Sequence, residues 1–361
     1  MASKLNYSDS TLQSRNKKFI KTVYKYIQYI IPVVLLIFVY SKIDINTVYN
    51  NLVNTDIFLF IIGIISFPIG IVIGGYRWYF LIRKTNKVKF LFVLKHYWIG
   101  LGLGYFVPSS IGWDFYRVYS VGKKNSNYLT HLVIIVYEKL IAFITCGAIF
   151  LLIIPYLNLK LSSSQQSIFN TIFIFILIAV VIVVIFFFSI RSKVIKKKLK
   201  KLIDNTYSKF ENVTKIIAPQ RNNSIGVGGD KIEVKDLFVT FFFSFLIQLF
   251  SAIATQLLFL SVHYKINLTI NLFVTSSLFI IFVLPISFGS IGVREISYMT
   301  MYGIFSVQPE VAVTISILTF LGVILNNSIG LIILFFENIR KKNKNEQVIN
   351  DSELINIENK L

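Results

Sequence analysis

The chain is poor in the residues from which catalytic and metal sites are built. It has one cysteine, three histidines and 17 acidic residues among 361. The lone cysteine, Cys146, lies in an apolar run, so no intrachain disulfide forms. Three scattered histidines give no metal-ligand spacing. There is no Asp-x-Asp pair and no Gly-x-Ser-x-Gly. No polar stretch is long enough for a soluble transferase domain. The expectation is a protein that is not an enzyme and binds no cofactor. Residues 1–22 are polar and basic, and no small-residue cleavage site follows the first apolar run, so the stretch does not resemble a cleaved signal.

What the chain has is apolar length. Hydrophobic residues make up 55% of it, with 34 Phe and 19 Tyr, and the mean hydropathy is +0.68. Several runs exceed the ~18 apolar residues that mark a membrane-spanning helix. The fold class is therefore an all-α polytopic membrane protein. The net charge of +20 would suggest nucleic acid in a soluble protein. Here the lysines and arginines cluster in loops beside the apolar runs. That pattern is orientation by the positive-inside rule, with attraction to anionic lipid.

Full spans read as about Tyr24–Tyr40, Ile57–Tyr76, Leu129–Pro155, Ile168–Ser189, Leu237–Val262 and Glu310–Phe336. Two further apolar stretches, Phe90–Val107 and Ile270–Pro285, are interrupted by glycine, proline or charge. Basic segments follow the second span, precede the third, fill the loop 190–236 with Lys196–Lys201, and close the last span at Arg340–Lys344. All of them fall on one side only if both interrupted stretches enter and leave by the same face. The reading is six spans plus two re-entrant hairpins in a cell membrane. Residues 1–23 form a cytoplasmic basic N-terminus, and 24–340 the membrane domain. Residues 341–361 form a disordered cytoplasmic tail. Tyr76, Arg77, Trp78 and Tyr79 read as an interfacial belt anchoring the second span.

The two interrupted stretches end alike. Pro108-Ser109-Ser110-Ile111-Gly112 leads to Arg117, and Pro285-Ile286-Ser287-Phe288-Gly289 leads to Arg294. Both blocks read Pro, any residue, Ser, apolar, Gly, then Arg after four more. Each is preceded by a span and followed by one, giving repeat copies at about 57–155 and 237–336. The predicted topology enters one hairpin from the cytoplasm and the other from outside, so the copies are inverted. Broken helices in inverted repeats are the architecture of many secondary transporters.

Five charges lie at membrane depth in this reading: Asp114, Arg117, Glu138, Arg294 and Glu295. Each costs several kcal/mol there unless paired or wet. Lys139 faces a different way from Glu138 on a helix, so Glu138 should reach Arg117 or Arg294 instead. The arginine forks match phosphate oxygens. Hydroxyls of Ser110 and Ser287 can donate, and Gly289 and Gly292 let backbone N–H groups approach an anion. This makes Arg117, Arg294, Ser110, Ser287, Gly289 and Gly292 candidates for holding a lipid phosphate. Asp114, Glu138 and Glu295 are candidate charge partners or proton relays. The alternative is a structural lattice that only holds the hairpins.

These blocks together resemble one family. Arg77-Trp78, Gly112-Trp113-Asp114 with Arg117, Glu138-Lys139, and Leu284-Pro285-Ile286-Ser287 with Gly292-Val293-Arg294-Glu295 resemble the transmembrane region of lysylphosphatidylglycerol synthases. That family usually has Gly-Gly-Asp at 112–114 and Glu-Arg at 138–139. The resemblance covers about 20–340 and implies translocation of an anionic lipid: a phospholipid, an aminoacyl-phospholipid or an isoprenoid-phosphate-linked sugar. The family's soluble synthase domain has no counterpart in this sequence. The expected partners are the lipid and a lipid-modifying enzyme or glycosyltransferase, with no nucleic acid. An intramembrane enzyme or accessory subunit, using Asp114 or Glu138 as a base beside a lipid phosphate, is the competing reading.

Overall fold

The computed structural model describes residue 30 and residues 32–85, 87–104, 111–125, 128–158, 163–191, 233–283 and 290–358. All the regular structure among them is helical. Helix α1 (Pro32–Tyr40) meets α2 (Ile45–Val53) at a 90° bend. Asp44 stops one helix and starts the next, accepting hydrogen bonds from the Asn46 and Thr47 N–H groups. Helix α3 (Ile57–Ile82) is capped the same way, by Asp56 accepting from the Leu59 N–H.

The chain continues through α4 (Phe90–Leu103), α5 (Ile111–Asn125), α6 (Tyr128–Asn158) and α7 (Ser163–Arg191). It then forms α8 (Val234–Ser261), α9 (Leu268–Val283), α10 (Val293–Gly303) and α11 (Pro309–Glu358). Among the described residues four helices are long and apolar enough to cross a membrane, and α1–α2 makes a fifth if the bent pair is one span. Of the first expected span, 24–29 and 31 lie outside the described residues. Helix α11 runs on to Glu358, so the tail expected to be disordered is helical as far as that residue. Its Lys, Glu and Gln content suits a helix extending from a long, already nucleated one.

The helices pack as two copies of one plan. The sequence α3–α4–α5–α6 is long, short and apolar, short and polar, long, and α8–α9–α10–α11 repeats it. Contacts follow the same plan. Helix α4 packs on α11 as α9 packs on α6, α3 touches α11 as α8 touches α6, and α2 lies on α11 as α7 lies on α6. The most extensive contact joins the two equivalent helices, α3 and α8.

That central pair is antiparallel. At one end the Asp56 N–H donates to the Ser261 carbonyl at 2.7 Å. At the other, Lys84 Nζ donates to Asp236 at 2.6 Å and to Glu233 at 3.3 Å. Equivalent helices that run in opposite directions are related by a two-fold axis across the helices, in the membrane plane, so the repeat is inverted. The Asp236 hydrogen bond raises the Lys84 pKa above the ordinary lysine range, and hydrogen bonds from Lys235 and Lys84 lower the Glu233 pKa. A raised lysine loses its contribution only at alkaline pH and a lowered glutamate only at acid pH, so the clasp holds throughout the neutral range.

Both hairpins return to the end they came from. Helix α4 starts beside Tyr76 and Tyr79 near the basic end, and Lys95 pairs with Glu337 at 3.1 Å. Helix α5 brings Tyr119 back to stack on Tyr128. The other hairpin starts at the opposite end, where Asn267 donates to the Tyr156 hydroxyl at 3.3 Å. It leaves there too, with Gln165 donating to Ser306 at 2.7 Å. Close approach is needed where a hairpin crosses the other half. A Cβ on Gly330 would overlap the Trp98 carbonyl, and one on Gly102 would lie 2.9 Å from the Asn327 carbonyl.

This topology makes a direct prediction. In a Cys146→Ser background, cysteines at Lys123 and Ser306 should react with a membrane-impermeant maleimide from opposite sides. Labelling of both from one side would contradict the inverted arrangement.

Candidate functional site

The deepest polar feature is an ion network in the first half. Glu138, on α6, is 1% exposed. One carboxylate oxygen accepts from Arg77 of α3 at 2.6 Å, and the other from Arg117 of α5 at 2.5 Å. Arg77 also donates to the Ser244 hydroxyl of α8 at 2.8 Å, which ties the network to the second half. Asp114 lies 3.4 Å from Arg117 and forms a second ion pair with Lys139.

Aromatic rings enclose Arg117. Its guanidinium carbon lies 4.4 Å from the Trp78 ring centroid, 4.8 Å from Tyr97 and 4.9 Å from Trp113. Such cation–π contacts contribute about 2 kcal/mol when desolvated. The network sums three cations, Arg77, Arg117 and Lys139, against two carboxylates. Arg77 Nε and Arg117 Nε are buried donors with no hydrogen bond among the described residues.

The sequence-derived candidates divide accordingly. Asp114, Arg117 and Glu138 come together, and Glu138 takes Arg117 as its partner. Arg294 and Glu295 lie elsewhere, on α10. The Arg294 guanidinium stacks over Phe320 at 3.9 Å. Glu295 accepts the Gly292 N–H at 2.6 Å, capping its own helix. Gly292 has φ +77°, and a Cβ there would lie 2.7 Å from the Pro32 carbonyl of α1. Ser110, Ser287 and Gly289 lie outside the described residues. The expected interfacial belt does not hold at Arg77 and Trp78. They are instead 8% and 0% exposed, inside the network. Their place within the last turns of a span looked interfacial, yet Glu138 has two oxygens and Arg117 satisfies only one.

Helix α5 has a second face. Asp114, Arg117 and Val121 point into the network and core, while Tyr116, Tyr119, Ser120 and Lys123 fall on the opposite side of the same helix. That side lines a cavity of about 380 Å³ near the basic end, closed by Phe92 and His96 of α4 and by Leu334 and Glu337 of α11. A smaller cavity of about 190 Å³ lies at the opposite end, lined by Tyr156, Leu157, Gln165, Asn267, Ile270, Phe305 and Ser306. The two are counterparts. Each lies beside a re-entrant hairpin and the last helix of the other copy.

Removing Glu138 alone leaves Arg77 without an acid and Arg117 with only the longer Asp114 contact at 3.4 Å. Glu138→Ala should destabilise by about 3–5 kcal/mol. Replacing Arg77, Glu138 and Arg117 together by Met, Leu and Met should cost less than that single change. Thermal unfolding of the purified variants checks both, and the reverse order would show that the three do not act as one unit.

A family model described as lysylphosphatidylglycerol synthase TM region matches residues 26–324. No curated protein and no solved structure matches the chain.

Proposed function

The chain belongs to the lysylphosphatidylglycerol synthase TM region family, and from that membership we propose that it carries an anionic lipid between the two leaflets. Membership gives a lipid-related membrane function. The finer reading is supported above all by one observation, the pair of inverted hairpins with a cavity at each end that carries polar side chains in a largely apolar lining. A headgroup needs a wet, polar passage, while acyl tails need none. Short helices that enter and leave by one end can part from the long helices beside them.

In this mechanism the headgroup enters the basic-end cavity beside Tyr116, Tyr119 and Lys123. The acyl chains stay in lipid between α5 and α11. The Glu138 network holds α5 against α3 and α6, so it positions the cavity wall. The headgroup then passes to the cavity of Tyr156, Gln165, Asn267 and Ser306 at the opposite end. We assign the basic end to the cytoplasm on the positive-inside rule. The proposal includes no bond making or breaking, and the protein acts as a carrier.

The test closes one cavity. Cysteines at Gln165 and Ser306, whose side chains are hydrogen-bonded at 2.7 Å, can be joined by a short bifunctional thiol reagent in a Cys146→Ser background. In proteoliposomes with fluorescent phosphatidylglycerol, the joined protein should lose lipid movement and the unjoined protein should keep it. Equal movement with the link in place would overturn the proposal.

A further inference from the structure

The two cavities differ in charge although they are counterparts in the fold. The basic-end cavity contains Lys123, whose Nζ forms no ion pair among the described residues and lies 6.0 Å from the Tyr119 ring centroid. Its one carboxylate, Glu337, is taken by Lys95 at 3.1 Å. The opposite cavity has no charged residue among those lining it, only the amides of Gln165 and Asn267, the hydroxyls of Tyr156 and Ser306, and apolar groups. The network behind α5 carries three cations against two carboxylates. Neither cavity therefore offers an unpaired carboxylate to a cationic headgroup. The Tyr119 ring, the obvious cation–π partner, already faces Lys123.

The remaining groups suit hydroxyls. Phe92, His96 and Tyr116 form an aromatic wall, with Phe92 and His96 centroids 4.0 Å apart and His96 stacked on Tyr116. Tyr116, Tyr119 and Ser120 bring hydroxyls beside it. A polyhydroxyl group packs its C–H faces on rings and exchanges hydrogen bonds with such side chains, and a phosphate takes the lysine.

We infer that the cavity between α4, α5 and α11 selects lipids whose phosphate carries an uncharged hydroxylated headgroup, and discriminates against lipids with a cationic, aminoacylated one. This rests on the reading that the chain handles lipid, and it names which lipid. Lys123 binds the phosphate, and the aromatic wall takes the polyol.

The experiment reads equilibrium binding separately from movement. The full chain is placed in nanodiscs containing phosphatidylglycerol, lysyl-phosphatidylglycerol and phosphatidylcholine, and bound lipid is measured by native mass spectrometry. Phosphatidylglycerol should be retained about tenfold over the lysyl form, because the unpaired Lys123 charge that holds the phosphate repels the lysyl ammonium beside it. Lys123→Gln should remove that preference, while Lys87→Gln, an exposed cation outside the cavity, should keep it. Equal or better retention of the lysyl form would overturn the inference. So would unchanged selectivity in Lys123→Gln, an equal loss in Lys87→Gln, or no retained lipid at all. Selective binding without movement in proteoliposomes would contradict the carrier mechanism and leave the selectivity standing. Movement of all three lipids without selective binding would do the reverse.

Discussion

The Glu138 carboxylate is the point from which the first half is built. It has two oxygens, and each is held by a different arginine from a different helix. Three helices, α3, α5 and α6, are thereby fixed at one depth where no solvent competes. A buried ion pair gives little net stability over apolar packing, because desolvation offsets most of the attraction. What it gives is geometry. Arg117 can satisfy its charge in one place only, between Glu138 and the rings of Trp78, Tyr97 and Trp113. Helix α5 cannot rotate without breaking both sets of contacts. Its other face, with Tyr116, Tyr119, Ser120 and Lys123, is therefore aimed at the cavity.

The second half joins its helices through neutral groups as well as through the buried Arg294 and Glu295. Asn271 of α9 donates to Gln256 of α8 at 2.6 Å and accepts from the Tyr302 hydroxyl of α10 at 2.9 Å. This chain of amide and phenol joins three helices, as the ion network joins three in the other half. Neutral hydrogen bonds cost less to bury and less to break than ion pairs. The two hairpins are thus equivalent in topology and unequal in attachment. The hairpin at the basic end is held by an ion network, and the hairpin at the opposite end by this hydrogen-bonded chain together with the buried Arg294 and Glu295 of α10.

Much of this was legible in the sequence, for identifiable reasons. The apolar runs define the helices because a membrane span has a fixed length. The matching Pro-x-Ser-apolar-Gly…Arg blocks revealed the repeat. Loop charge implied that both interrupted stretches return to their own side. Glu138 stood out because an acid inside an apolar run must find a cation, and Arg117 was one of two offered. Arg77 was not legible as a core residue. It lies in the last turns of a span, where an arginine beside aromatic residues also serves as an anchor. Only the antiparallel packing of α3 on α8, which brings Ser244 beside it, shows that this depth is interior. The partner of Lys139 was not legible for a related reason. Lys139 points away from Glu138, yet α5 brings Asp114 to it. The cavities were illegible because each combines residues from helices far apart in the chain.

The inverted plan also limits where motion can occur. Helices α3 and α8 are pinned to each other at both ends, by a backbone hydrogen bond at one and a lysine–carboxylate clasp at the other. Such a pair moves as one body. The hairpins are joined to it by packing and by the polar chains, and each also leans on the last helix of the other copy. A shift of one hairpin therefore loosens the contact of α4 with α11 or of α9 with α6, and the two-fold relation makes these alternatives of similar cost. Each hairpin packs on the last helix of its own copy and on that of the other, so a shift of either is passed to both halves.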